Sequence, residues 1–347
     1  MYIRKILLAI VVIGLLIAGL LANYVYSAMF KPNTIFDGDK AYIYIPTNAK
    51  YDEVREQLRP LLKDLDKFDA LAIRKKYSTN IKAGKYVIAK GMNNNDIINS
   101  IRSNNIPIKV SFNNQETLPD LAGRVASQIE ADSLSLLKAF KSEDFLGKHN
   151  FKKETALGMY VPNSYEFFWN TSAEKFRDRM WLEYQKFWTE TRINKAKSLG
   201  LDPLKVVVLA SIVQKETAKV DERPRVAGVY LNRLKRGMPL QADPTIIFAI
   251  KQKSGDFDTI IKRVLYKDLD IDSPYNTYKY PGIPPGPIAM PDISSIDAVL
   301  NPERHNFYYF VANVEQFGYH KFATTLSQHN RNKQEYVRWI NSQRINR

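Results

Sequence analysis

One carboxylate of this chain, Glu216, follows an apolar helical segment and could act as a general acid. At about 100° per residue, its stripe also carries aliphatic residues, namely Leu209, Ile212, Val213 and Val220. The opposite side carries Ser211, Lys215, Ala218 and Glu222. A carboxylate removed from water has a raised pKa, and an acid that keeps its proton near neutrality suits general acid catalysis. The alternative is structural, with a partly buried Glu216 paired to Arg223 or Arg225.

Three polar residues in the segment LQADPT could bind a polyhydroxylated ligand. If this segment is extended, the side chains of Gln241, Asp243 and Thr245 point the same way, because alternate residues of a strand share a face. The alternative, which the pattern alone favours, is an Asx-Pro turn in which Asp243 caps the element after Pro244.

A third cluster combines aromatic rings with amide and hydroxyl groups. Tyr275, Asn276 and Tyr278 precede a proline-rich stretch, PGIPPGP. Aromatic faces stack on sugars and amides contact hydroxyls, so the cluster suggests carbohydrate binding. The alternative is that the prolines only stiffen a loop.

Several kinds of chemistry find no support in the sequence. The chain has no cysteine, which excludes thiolate catalysis, disulfides and cysteine-ligated metals. His320 and His329 do not have zinc-ligand spacing, and neither a Gly-x-Ser-x-Gly elbow nor a nucleotide-binding glycine loop occurs. We therefore predict neither a metal ion nor a cofactor.

The N-terminus predicts a membrane anchor. Residues 6–22 form an uncharged apolar run, near the lower length limit for a spanning helix, and Tyr24 and Tyr26 follow it. Arg4 and Lys5 predict a cytoplasmic N-terminus with the remainder outside; a cleaved signal peptide is the alternative. The net charge of +15 suggests an anionic partner. An external location, and basic residues interspersed with acidic ones, argue against nucleic acid.

Periodicity predicts a mixed α+β fold. After a polar spacer at 31–40, a strand–helix–helix–strand–helix unit is expected within 38–105, its strands at 41–46 and 84–89 and its first helix capped by Thr47 or Asn48. The region 130–195 is expected to be helical and aromatic, with a loop at 158–172. Residues 307–313 are expected to form a buried strand.

Together these motifs resemble the membrane-anchored endolytic murein transglycosylases, also called YceG-like proteins. The resemblance covers nearly the whole chain. Its motifs are PNSY at 162–165, ASIVQKET at 210–217, NRL at 232–234, MPLQADPT at 238–245, YNTY at 275–278 and a closing His320, Phe322, His329 and Asn330. Many members carry Glu where this chain has Gln214. The family's catalytic Glu aligns with Glu216.

The resemblance implies a domain organisation: an anchor at 1–30, a small LysM-like module at 31–107, a helical and aromatic connecting region at 108–195 and a larger catalytic domain at 196–347. It also implies a lytic transglycosylase, a carbon–oxygen lyase that cuts the β-1,4 bond between MurNAc and GlcNAc of nascent peptidoglycan and leaves 1,6-anhydroMurNAc ends.

In this interpretation Glu216 is the catalytic residue. The substrate-binding candidates are Gln241, Asp243, Thr245, Tyr275, Asn276 and Tyr278, while His320 and Asn330 either line the groove or hold loops. The partners are glycan strands and membrane peptidoglycan synthases, and the location is the bacterial cytoplasmic membrane. The alternative function is a non-catalytic peptidoglycan-binding scaffold.

Overall fold

The computed structural model describes residues 2–342 and has a mixed α+β fold, as the sequence predicts. The chain divides into two compact units. The first comprises residues 1–110, 128–131 and 165–172, and the second comprises residues 111–127, 132–164 and 173–347. The four-part division given above stays a prediction.

The first unit begins with a long apolar helix, α1 (Tyr2–Phe30), whose side chains are exposed along nearly its whole length. Among residues 2–342 it is the one helix long and apolar enough to cross a membrane, with a mean hydropathy of 2.8. Its last turn is different, because Ala28 is buried and the helix end packs against α3 (Leu65–Arg74) and α4 (Asn94–Ser103).

The rest of the first unit follows the predicted order of elements. Strand β1 (Lys40–Ile45) is followed by α2 (Tyr51–Leu58), then by α3, β2 (Gly84–Ala89) and α4. The strands are antiparallel, with Lys40 opposite Ala89 and Ile45 opposite Gly84. Their inward side chains pack with the helices in a core that includes Ile45, Phe68 and Ile97.

One local prediction in this unit is wrong. Helix α2 starts after Lys50 rather than after Thr47 or Asn48, because Thr47 donates its N–H and its hydroxyl to the Glu130 carboxylate at 2.5 and 2.7 Å instead. The polar spacer at 31–40 is hydrogen-bonded to the rest of the unit. Asn33 donates its backbone N–H to the carbonyl of Met92 at 2.9 Å, and its side chain to Asn94 at 2.6 Å.

The second unit is mainly helical. Its helices are α5 (Leu118–Ala126), α6 (Ser133–Phe140), α7 (Glu143–Lys148), α8 (Ala173–Phe187), α9 (Glu190–Ser198), α10 (Pro203–Glu216), α11 (Arg223–Lys235), α12 (Asp243–Ser254), α13 (Ile293–Leu300) and α14 (Leu326–Ser342). The strands that follow the first unit's hairpin are β3 (Pro107–Phe112), β4 (Asn163–Phe168), β5 (Tyr309–Ala312) and β6 (His320–Ala323). Strand β4 lies in the stretch predicted to be a loop.

Helix α10 forms the centre of the second unit. Asp202 caps it by accepting the N–H of Lys205 at 2.9 Å, and Pro203 occupies its first turn, where a missing N–H costs nothing. It packs against α9, α11, α12 and α13, so every residue from Val206 to Val213 is buried. The two-sided pattern expected from the sequence is therefore wrong for this helix.

Ser211 illustrates why the two-sided pattern fails. Its side chain was expected on the polar side of α10, yet it is fully buried. The hydroxyl donates to the carbonyl of Val208 at 2.7 Å and accepts the N–H of Ile288 at 3.1 Å, so its polar atom is paired inside the protein. Val220, expected on the apolar stripe, lies beyond the end of the helix and is exposed.

Strands β5 and β6 form an antiparallel pair that packs against α14. Tyr309 lies opposite Ala323, and Ala312 lies opposite His320. The strand predicted at 307–313 is present, but it is shorter, and its residues are half-buried or exposed rather than buried.

Candidate active site

Glu216 is the last residue of the buried helix α10. Its side chain is partly buried, and the Tyr230 hydroxyl donates a hydrogen bond to its Oε1 at 2.6 Å. Tyr230 lies on α11, is 1% exposed and meets the ring of Phe310 edge-on at 6.0 Å. The carboxyl group is thus held at the end of a rigid element by a rigid phenol.

The protein raises the pKa of Glu216 to about 7, and burial is the main cause. The hydrogen bond from Tyr230 and the charges of His320 and Arg233 lower the pKa, while the nearby carboxylate of Asp243 raises it. A carboxyl group in this range exchanges its proton readily at neutral pH, as an acid that later acts as a base requires.

The structural alternative for Glu216, an ion pair with Arg223 or Arg225, is wrong. Arg223 is buried and donates to the Ser294 hydroxyl at 2.7 Å. Arg225 donates to both carboxylate oxygens of Glu303, at 2.9 and 3.0 Å.

A different arginine, Arg233, contributes positive charge near Glu216. It is 7% exposed and donates to the carbonyls of Tyr308 and Leu240 at 2.7 and 2.6 Å. Within residues 2–342 no carboxylate forms an ion pair with it, so its charge is compensated by carbonyl dipoles. A buried cation that has no carboxylate partner favours the ionised form of a nearby carboxyl group.

His320 and Glu222 form a second polar pair beside Glu216. Glu222 is 4% exposed and bonds Nδ1 of His320 at 2.8 Å, while it accepts the backbone N–H of His320 at 2.7 Å. Burial of Glu222 favours its protonated form, but the hydrogen bonds from His320 and Thr217 have the larger effect and hold the pKa of Glu222 below its usual value. The sequence placed Glu222 on a solvent face, which is wrong.

The segment LQADPT is not extended, so the predicted alignment of its three side chains is wrong. Asp243 starts helix α12, and Gln241 has a left-handed backbone with φ of 49°. Asp243 does not cap α12 with its side chain, since Ala242 is the cap residue. Its carboxylate instead accepts the hydroxyl of Tyr278 at 2.5 Å, and both Gln241 and Asp243 are exposed.

Three predicted ligand-binding side chains are buried. Thr245 is fully buried, and its hydroxyl is bonded to the carbonyl of Ala242 at 2.7 Å. Asn276, also fully buried, donates to the carbonyls of Leu269 and Ile271 at 2.9 and 2.8 Å. Tyr275 is 2% exposed and packs on a neighbouring ring. In this structure Thr245 and Asn276 direct polar atoms to backbone carbonyls of their own loops, and Tyr275 lines a cavity together with Phe248.

The remaining residues singled out by the sequence lie around the site or away from it. Gln214 accepts the N–H of Asp292 and the hydroxyl of Ser295, the latter at 3.2 Å, and so fixes the start of α13. Asn330 is exposed on α14. Within residues 2–342 no three His, Asp or Glu side chains are grouped as a metal ion would require.

Tyr230 is the residue of the site that sequence reasoning did not identify. It lies within VYLNRL, where it has the spacing of an ordinary core aromatic residue, and three positions separate it from Arg233. This i, i+3 spacing on one helix face is the signal that could have placed both beside Glu216.

The fold and the site define an α+β protein with an N-terminal apolar helix and one carboxyl group that retains its proton to about pH 7. A family model described as YceG-like matches residues 43–335. The chain belongs to the YceG-like family.

Curated relatives and a solved structure agree with this assignment. The chain is 30% identical over 282 residues to the endolytic murein transglycosylase of Bacillus subtilis, covering 76% of each protein. It is 30% identical over 323 residues to that of Streptococcus pneumoniae, covering 84% of this chain and 58% of the relative. A crystal structure described as a yceG-like protein from Listeria monocytogenes matches with a TM-score of 0.55 and 28% identity, covering 84% of this chain and 98% of the other.

Proposed function

We propose that this protein is a membrane-anchored endolytic lytic transglycosylase that cuts the MurNAc-β-1,4-GlcNAc bond of nascent peptidoglycan and leaves 1,6-anhydroMurNAc ends. Membership of the YceG-like family and relatives named endolytic murein transglycosylases support the enzyme class and its peptidoglycan substrate. The observation that carries the mechanism is the position of Glu216, buried enough to raise its pKa to about 7 and hydrogen-bonded to Tyr230.

In this mechanism Glu216 acts twice. Its proton passes to the glycosidic oxygen, the bond from that oxygen to C1 of MurNAc breaks, and GlcNAc leaves with a hydroxyl group. The substrate's own acetamido group holds the cation-like sugar. The Glu216 carboxylate then accepts the proton of the muramyl 6-hydroxyl while that oxygen bonds to C1. No water is consumed, and Glu216 ends protonated as it began.

The surroundings of Glu216 suit both steps. Burial favours the protonated acid that starts the reaction, while the hydrogen bond from Tyr230 and the positive charge of Arg233 stabilise the carboxylate that forms during it. A site that stabilises both states with similar strength keeps the proton transferable in each direction.

The location follows from α1 in the same proposal. With Arg4 and Lys5 inside, the helix would anchor the protein in the cytoplasmic membrane and keep the remaining chain outside, near the emerging strands. Cutting there would set strand length, and membrane peptidoglycan synthases would be neighbours. The small LysM-like module would bind the same polymer.

The decisive experiment is digestion of purified peptidoglycan with mass spectrometry of the released muropeptides. We expect the wild type to yield anhydro-ended products, one water lighter than hydrolysis products, and Glu216→Gln to yield none while remaining folded. Glu303→Gln removes a carboxylate that pairs with Arg225 on the surface, so it is the matched control and should retain activity. Release by a folded Glu216→Gln variant would exclude this mechanism, reducing-end products would indicate a hydrolase, and binding without cleavage by the wild type would favour the scaffold.

A further inference from the structure

One cavity of the second unit lies near the last turn of α10 and plays no part in the proposed mechanism. It has a volume of about 550 Å³ and is lined by the start of α5, part of the segment 153–157, the end of α12 and the loop that carries Tyr275. We propose that this cavity binds the peptide stem of the muramyl residue whose bond is cut. This inference rests on the proposed function and adds the part of the substrate that the cavity recognises.

A chain of ion pairs and hydrogen bonds joins the cavity to the neighbour of Glu216. Glu116 lines the cavity and binds Lys215, the residue next to Glu216 on α10, at 2.5 Å. Glu116 also binds Lys251 of α12 at 2.9 Å, and Lys251 donates to the carbonyl of Phe257, another lining residue, at 2.9 Å. The wall of the cavity is therefore fixed to the end of the helix that carries the acid.

The charge of Glu116 suits this structural role. Burial of Glu116 favours its protonated form, but the hydrogen bonds from Lys215 and Lys251 have the larger effect and hold the pKa of Glu116 below its usual value. The carboxylate thus binds two cations on two helices at neutral pH, and the cavity is formed before a ligand enters, as is usual for ligand sites.

The substrate brings its peptide close to the same place. In the proposed reaction Glu216 protonates the oxygen on C1 of a muramyl ring, and the stem is attached through the lactyl ether at C3 of that ring. The first amino acids of the stem must therefore lie beside the sugar that reacts. A cavity whose wall contacts Lys215 is positioned to receive them.

The inner lining of the cavity is mostly apolar. The rings of Tyr275 and Phe248 pack with their centroids 4.6 Å apart, and those of Phe248 and Phe257 with their centroids 5.7 Å apart. Aliphatic side chains complete this lining, namely Leu118, Leu157 and Pro287. The other lining residues are polar and mostly exposed, and they include Thr117, Lys141, Glu154 and Gln252. Such a site encloses small apolar groups and offers hydrogen bonds at its opening.

This lining favours a peptide over a sugar. A sugar carries hydroxyl groups on most of its carbons, and a hydroxyl group without a partner in apolar surroundings is costly. Stacking of a sugar would need an open ring face, whereas Tyr275, Phe248 and Phe257 contact one another. The alanine methyl groups of a stem would contact these rings, and its amide groups would bond to the polar residues. The cavity would thus distinguish muramyl residues that carry a stem from those that lack one.

The test uses two forms of the same uncrosslinked glycan strands, one with stems and one from which an amidase has removed them. We expect the wild type to have a KM about 10-fold lower for the strands with stems. Phe257→Ala should raise that KM about 10-fold, keep kcat within about 2-fold and leave both constants for the stripped strands unchanged. A merely structural defect would change the kinetics on both substrates alike.

Two further variants complete this comparison. Phe317→Ala is the matched control, because Phe317 is 91% exposed and lies outside the cavity lining, so it should leave both substrates unaffected. Gln252→Trp should narrow the cavity from its exposed side and raise KM for the strands with stems only. Equal KM values of the wild type for the two substrates, or a rise for Phe257→Ala on stripped strands as well, would overturn the inference.

Direct binding separates this inference from the proposed function. Calorimetric titration of the whole chain in detergent with the free stem tetrapeptide requires no cleavage, and we expect saturable binding that is about 10-fold weaker in Phe257→Ala. Peptide binding by a wild type that cuts no strands would remove the proposed function and leave the stem-binding cavity. Cleavage by a wild type that does not bind the peptide would remove the cavity's role and leave the proposed function.

Discussion

The hydrogen bond from Tyr230 to Glu216 permits a quantitative prediction, because the substitution Tyr230→Phe removes one hydroxyl and little else. The bond is 2.6 Å long, and its donor is buried. A hydrogen bond to a charged group contributes about 1.5 kcal/mol at the lower end of the usual range, and one pH unit corresponds to about 1.4 kcal/mol. Since the bond stabilises the carboxylate, its loss should raise the pKa of Glu216 by about one unit above its value of about 7.

The assay is the pH dependence of kcat/KM for release of anhydro-ended muropeptides. The alkaline limb reports loss of the proton from Glu216, so it should move upward by about one unit in Tyr230→Phe. Tyr160→Phe is the matched control, since Tyr160 is similarly buried and its hydroxyl has no hydrogen-bond partner within residues 2–342. A limb that stays in place, or moves downward, would refute the reasoning that Tyr230 stabilises the ionised form.

Three further predictions concern stability. At pH 8 the free energy of unfolding of Glu216→Gln should exceed that of the wild type by up to about 3 kcal/mol, and at pH 4 the two should differ little. The raised pKa of Glu216 gives the folded wild type a stabilisation that is fully present below pH 4.5 and is lost as the pH rises through about 7, whereas Gln does not titrate. Denaturant titrations at both pH values test this. Glu116→Gln should cost about 1 to 2 kcal/mol in the same titration, because Glu116 binds two lysines in a partly buried cluster. Glu143→Gln, from an exposed ion pair, should leave the free energy of unfolding nearly unchanged. Gly286→Ala should lower the melting temperature strongly, since its Cβ would lie 2.0 Å from a backbone oxygen, and Gly147→Ala, with open space around it, should not.

The sequence predicted those features that depend on local pattern and failed where tertiary packing decides. The order of elements in the first unit followed from alternation and capping signals, and the raised pKa of Glu216 followed from its aliphatic neighbours. Ser211 looked solvent-facing because a small hydroxyl is compatible with either side of a helix. Its burial depends on the N–H of Ile288, which is 77 residues away in the chain.

The same limit applies to the site. Residue type grouped three polar side chains, Asp243, Thr245 and Asn276, but residue type says nothing about exposure. In the structure Asp243 is exposed, whereas Thr245 and Asn276 are buried and bond to the carbonyls of Ala242 and Leu269. Tyr230 was missed because a phenol in a helical core pattern has many ordinary uses. Its role depends on the end of α10 meeting α11, a packing contact that no local pattern encodes.

The junction between α1 and the first unit has a mechanical consequence. At about 1.5 Å per residue the 29 residues of α1 extend about 44 Å, more than the roughly 30 Å of a bilayer interior. The C-terminal end of α1 is fixed to the first unit, because the side-chain amide of Asn94 donates to the carbonyl of Ala28 at 2.8 Å. The end of α1 would then be rigidly attached to the first unit. Any tilt of α1 in a bilayer would turn the first unit by the same angle, so membrane thickness would influence the orientation of that unit.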